Sequence, residues 1–203
     1  MKHTFTTDGK PRLFKPDTKE EIIDIYQNFG KTIEVTIRIF YELMNEVRFV
    51  YAPAKFEGKK ESINWRHQSV FVLDFDKGVH FEKIIQKTEK YGLKPNIIYN
   101  TYSHKDAFPK YRFMFFLDKV ITDKPERDYI QRGLIALYED SDKSCKDAAR
   151  MFYPLKVKEH ADEKNIFLLS DEEISYDHLK SIVDTAIISA DGNRVRHLFQ
   201  FRF

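Results

Sequence analysis

The stretch VFVLDFDKG, residues 70 to 78, constrains this chain more than any other, because an apolar run of strand length ends in two aspartates, Asp74 and Asp76. A run of Val, Phe and Leu of this length reads as the apolar core of a strand. A carboxylate there must be hydrated at the strand end, paired, or bound to a metal, since stripping a charge of water costs on the order of several kcal/mol. The neighbouring elements decide which.

SVFVLDF, 69 to 75, reads as the first strand of a unit. HFEKIIQKTEKYG follows, with Phe81, Ile84, Ile85 and Tyr91 at near-helical spacing and Gly92 as a stop. NIIYNTY and YRFMFFLD are two more strands joined by the turn SHKDAFPK, and KPERDYIQRGLIALY is a second helix with Pro125 near its start. ARMFY, 149 to 153, is a candidate fourth strand. The order β-α-β-β-α-β is that of an α/β (α+β) ferredoxin-like unit. A right-handed crossover makes its first two strands parallel, the hairpin returns the third between them, and the fourth is expected antiparallel beside the first.

Upstream, residues 1 to 20 are polar with Pro11 and Pro16 and read as an extended, poorly packed arm. Thr36 is placed to cap a helix over 37 to 47, RFVYAPAKF is a strand broken at Pro53, and EGKKESINWRH is a charged connector. We expect an N-terminal α/β module over 1–67 and a core with a C-terminal extension over 68–203, forming one compact unit.

This topology gathers chemistry at one sheet edge. Strand one ends in Asp74 and Asp76, strand two in Ser103 and His104, strand three begins with Lys110 and Arg112, and the loop toward strand four carries Asp142, Lys143 and Lys146. Residues two apart on a strand share a face about 6 to 7 Å apart, from which both aspartates can reach one divalent ion or bridge two. Oxygen ligands suit Mg²⁺ or Mn²⁺, and the nearby cations suit a triphosphate. Each motif alone is weak: Asp-x-Asp is common, and Ser-His in a turn is often local hydrogen bonding. Phe71, Phe75, Phe113 and Phe115 are assigned to the core in preference to base stacking.

Composition sets limits. With a net charge of +2 and a pI near 8.4, any nucleic-acid contact must come from a local patch. Cys145 is the single cysteine, which excludes an intramolecular disulfide framework and multi-cysteine zinc modules; it is assigned to buried packing. No stretch has signal-peptide or membrane-span length and apolarity, so the expected location is the cytoplasm, with no membrane partner.

Taken together, LDFD, TYSHK, KYRFMF and DKSCKDAARMFYP resemble, in that order, the catalytic domain of archaeo-eukaryotic-type primases, most closely the primase-polymerases of plasmids and phages. The resemblance spans Phe49 to Pro154. It implies an RRM-like core joined to an N-terminal α/β module, and template-directed, two-metal nucleotidyl transfer in the replication of a mobile element. Asp74, Asp76 and Asp142 would hold two divalent ions, with Asp140 and Asp147 as competitors for the third position. Ser103 and His104 would bind the nucleotide with help from Lys110, Arg112 and Arg150, although Arg150 can equally be read as a salt-bridge partner of Asp142 or Asp147. The implied partners are a single-stranded DNA template, nucleoside triphosphates and a helicase domain or protein. Two other classes compete: a non-catalytic RRM-like nucleic-acid-binding module, and a metal-dependent replication endonuclease, for which there are 11 tyrosines but no paired-histidine motif.

Overall fold

Strand β5, Trp65–Phe75, is the axis of the molecule. The structure, a computed structural model, describes residues 1–12, 15–155 and 165–199. Along β5, Phe71, Leu73 and Phe75 join one hydrophobic cluster while Val70 and Val72 join another, which is why the strand is apolar without alternation. Antiparallel to it runs β7, Tyr111–Ile121, with Leu73 opposite Phe113 and Asp74 opposite Arg112. β7 also pairs antiparallel with β6, Ile97–Asn100, placing Tyr99 opposite Arg112. The first two strands of the unit are therefore parallel with the third between them, as the topology predicts.

Three helices cover one face of this sheet: α3, Phe81–Tyr91; α4, Lys124–Leu137; and α5, Tyr176–Phe199. Local chemistry sets the ends of the first two. Gly92 adopts φ +63 at the end of α3, and Asp123 caps α4 by accepting from the Glu126 amide at 2.9 Å. α4 and α5 cross closely at Gly133, where a Cβ would lie 2.1 Å from the Val183 side chain. Phe71, Phe75, Phe113 and Phe115 are buried here, as assigned, and Cys145 is buried too.

The other face packs against the N-terminal part of the chain. β1, His3–Thr7, lies between β2, Lys31–Val35, and β3, Tyr51–Ala52, in a second antiparallel sheet. Helix α2, Ile37–Glu46, capped by Thr36 as predicted, adds Phe40 and Met44 to a cluster with Phe5, Tyr51, Val70 and Phe116. Helix α1, Lys19–Asn28, starts with a capping box between Thr18 and Glu21. The break expected at Pro53 separates β3 from β4, Lys55–Phe56, which belongs to the larger sheet.

Two sequence expectations fail. The first residues are not a poorly packed arm: His3 to Thr7 form a buried central strand. Their threonines look polar, yet β-branched side chains suit a strand, and the Thr6 hydroxyl is satisfied by the Ala54 carbonyl at 2.7 Å. Nor is ARMFY a fourth strand beside the first. That place is taken by β4, and the last strand, β8, Ile166–Leu168, pairs with β6 at the opposite edge. The ARMFY segment contributes a single bridge, Phe152 to Tyr51, and the next hydrogen-bonded positions on either side would pair Phe49 with Pro154 and Pro53 with Arg150, where proline has no N–H to give.

Candidate active site

Asp74 is the penultimate residue of β5 and is buried, on the sheet face that meets the N-terminal sheet. The register places Asp74, Arg112 and Tyr99 in one cross-strand row. Arg112 Nε lies 3.3 Å from Asp74 Oδ1, Nη2 donates to Oδ2 at 3.4 Å, and Nη1 donates to the Tyr99 hydroxyl at 3.2 Å and to the Tyr153 carbonyl. Its guanidinium lies over the rings of Tyr99 and Phe152, 5.6 and 5.2 Å from their centroids. The Tyr51 hydroxyl, from the second sheet, meets that of Tyr99 at 2.8 Å.

Asp142 reaches this row through the backbone, its amide donating to the Asp74 carbonyl at 2.7 Å. The Asp142 carboxylate caps the 3-10 turn Lys143–Lys146, accepting from the Ser144 amide at 2.9 Å and from the Ser144 hydroxyl. Arg150 closes the cluster: one Nη2 lies 3.2 Å from Asp74 Oδ2 and 2.8 Å from Asp142 Oδ2. Of the two competitors, Asp140 is held instead by Lys83 and Lys87 of α3, and Asp147 accepts from the Ala149 amide.

The electrostatics follow from these contacts. Burial alone would raise the Asp142 carboxyl pKa, but hydrogen bonds from Ser144 and the charge of Arg150 bring it below the usual range. Burial disfavours the charges of Arg112 and Arg150, and the neighbouring negative groups, Asp74 among them, more than offset it, so both pKa values rise. Burial pushes the Cys145 thiol up to about 12, which makes it an unreactive packing group.

The remaining predicted residues are nearby but outside this network. Asp76 lies past the end of β5, exposed and without a hydrogen bond or ion pair among the described residues. Ser103 is exposed in the turn after β6. The His104 ring is fixed by its Nδ1, 3.0 Å from the Lys110 amide, and packs 5.2 Å from the Tyr111 ring. In the tautomer that accepts from that amide, Nε2–H remains for a ligand, with exposed Asp106 at 3.8 Å. This turn docks onto the one that carries Asp76. Phe108 lies over Gly78, where a Cβ would come within 2.7 Å of its ring, and Gly78 has φ +72. The Lys110 ammonium sits 5.4 Å from the Phe108 ring centroid.

Several polar atoms here are left open. Among the described residues, Asp74 Oδ1, Arg112 Nε and Arg150 Nε are buried without a hydrogen-bond partner, as is Ser141 Oγ directly before Asp142. Asp74 Oδ1 and Arg112 Nε face each other at 3.3 Å as an ion pair, which leaves Arg150 Nε and Ser141 Oγ as the buried atoms of the cluster with no described polar partner. The carboxylates of Asp74, Asp76 and Asp142 are hard oxygen donors of the kind Mg²⁺ and Mn²⁺ take. They fit such an ion in kind, yet a guanidinium stands between Asp74 and Asp142, and no described set of three metal-ligating side chains can hold an ion as it stands.

No protein-family model matches the chain, and no curated protein matches its sequence. Among solved structures it is similar to the AEP domain of the cyanophage S-2L primase-polymerase, with a TM-score of 0.53 and 13% identity over 90% of this chain and 88% of that one. The chain has the fold of that AEP domain. Within this primase-polymerase fold, Asp74, Arg112, Asp142 and Arg150 meet between the two sheets. No described helix is long and apolar enough to cross a membrane. Sequence reasoning missed Tyr51 and Tyr99, whose hydroxyls extend the network; a tyrosine inside an otherwise apolar strand, directly before Asn100, was the available signal.

Proposed function

We propose that this chain is a primase-polymerase that joins nucleotides on a single-stranded DNA template during the replication of a plasmid, phage or other mobile element. The observation that carries this reading is the backbone bond from Asp142 to Asp74, which fixes two carboxylates side by side, that of Asp74 buried between the sheets. Asp74, Asp76 and Asp142 are the residues that would hold divalent Mg²⁺ or Mn²⁺. Such ions would lower the pKa of the attacking hydroxyl and stabilise the leaving pyrophosphate. Arg112 fixes the geometry of Asp74 by pairing with it on one side and with Tyr99 on the other. Ser103, the free Nε2 of His104, Lys110 and Arg150 line the approach and would receive the triphosphate. A helicase domain or protein is the natural partner for opening the duplex, and residues 1–67 and 68–203 act as one catalytic unit.

The non-catalytic RRM-like reading needs aromatic side chains exposed on an open sheet face. Here Tyr99, Phe116, Phe113 and Phe115 are all fully buried, which counts against it. The deciding experiment incubates the protein with single-stranded templates, with and without a primer, labelled ribo- or deoxyribonucleotides, and Mg²⁺ or Mn²⁺. Labelled extension products that vanish in Asp74→Asn support the proposal. Template cleavage without incorporation would replace it with the endonuclease reading.

A further inference from the structure

We propose that Arg150 is the resident counter-ion of the site, a latch that keeps a divalent cation out from between Asp74 and Asp142 until nucleotide arrives. The proposal rests on the nucleotidyl-transfer reading and adds to it a regulated order of binding. Its basis is a contrast between two arginines on the same carboxylate. Arg112 is held by strand β7, by the Tyr99 hydroxyl, by the Tyr153 carbonyl and by rings on either side. Arg150 lies outside any helix or strand, its side chain is 23% exposed, and among the described residues its guanidinium pairs only with Asp74 and Asp142. Apart from the Phe152 ring, 5.6 Å away, nothing else described holds the guanidinium, so it can leave where Arg112 cannot.

The geometry makes cation and latch mutually exclusive. One Nη2 already reaches an oxygen of both carboxylates, at 3.2 and 2.8 Å. A magnesium ion shared by the same two oxygens, at about 2.0–2.1 Å from each, would need the place between them that Nη2 occupies. Adding a doubly charged ion while both arginines stay would also set excess positive charge in a partly buried site. A triphosphate removes both obstacles, because it carries negative charge into the site and offers displaced Arg150 a bidentate acceptor. Metal and nucleotide then bind with positive coupling, each paying part of the cost of opening the latch.

Calorimetric titration with Mn²⁺, with and without a non-hydrolysable nucleoside triphosphate, tests this on the intact chain. Arg150→Gln should bind Mn²⁺ alone about tenfold more tightly than the wild type, with reduced metal–nucleotide coupling, and its folding is checked by circular dichroism. Arg150→Lys keeps the charge but lacks the planar fork, and should fall between the two. Equal or weaker Mn²⁺ binding by both variants overturns the latch while leaving the nucleotidyl-transfer reading intact. Absence of Mn²⁺ binding by every protein, even with triphosphate present, overturns both.

Discussion

Arg127 and Arg112 are both buried against β5, and their surroundings differ in one respect. Arg127 donates to Gln68 Oε1 at 3.0 Å, to Asp128 at 3.0 Å and to the Lys146 carbonyl at 2.6 Å. Gln68 is itself bound by Trp65 and donates to the Val70 carbonyl, and nearby Gln131 donates to that of Val72. None of these side chains leaves a buried atom without a hydrogen bond, whereas in the Asp74 cluster Arg150 Nε has no described partner and Asp74 Oδ1 and Arg112 Nε meet only as an ion pair at 3.3 Å. The charges respond in opposite directions: burial lowers the Arg127 pKa despite Asp128, while Asp74 helps raise that of Arg112. A closed polar array rigidifies a core, and an open one has bonding capacity for something else. The two arrays place a closed and a less completely bonded polar group along one strand.

The largest expected effect tests the open array. Asp74→Asn keeps the shape and removes the charge, so incorporation should fall about 10²- to 10³-fold or more while the far-ultraviolet spectrum is unchanged. Asp74→Ala goes further, because it strands Arg112 and Arg150. It should cost about 3–5 kcal/mol in urea unfolding. Normal incorporation by Asp74→Asn would remove the functional half of the contrast.

Arg127→Met should behave in the reverse way. The orphaned carbonyl and amide groups cost about 2 kcal/mol of stability, and the folded enzyme keeps its rate per molecule. A rate loss without a stability loss would show that the closed array also touches substrate.

Gly78→Ala probes how the Ser103–His104 turn is seated. The added methyl meets the Phe108 ring, and φ +72 strains any residue with a Cβ, so the cost is about 1–2 kcal/mol. The nucleotide KM should rise severalfold with little change in kcat. An unchanged KM would detach this turn from nucleotide binding.

The smallest effect concerns acid. Because the folded-state Asp142 pKa is depressed, the stability it contributes is complete above the unfolded value of 3.8 and is lost as pH falls through the folded value. Asp142→Asn should therefore flatten the decline in stability below about pH 4. A parallel decline in both proteins would mean that Ser144 and Arg150 do not favour the ionised form.

The sequence by itself determined what depends on neighbours along the chain. The apolar run of β5, the caps at Thr36 and Asp123, the stop at Gly92 and the β-α-β-β order are local, and from that order the parallel pair around β7 follows. The pairing of Asp74 with Arg112 was not legible there, since α3 and β6 separate β5 from β7 in the chain and the register between them is set by packing. The rest was decided by tertiary structure. Threonine-rich β1 becomes a central strand only because two partners and a second sheet cover it, and ARMFY meets β3 at Phe152 alone because the fold brings it beside Tyr51 and not beside β5. That Arg150 pairs with Asp74 and Asp142 but not Asp147 depends on where a segment without regular structure lies against β3. Periodicity reports which face a residue shares with its neighbours in sequence, and it carries no information about which distant group can satisfy a buried charge.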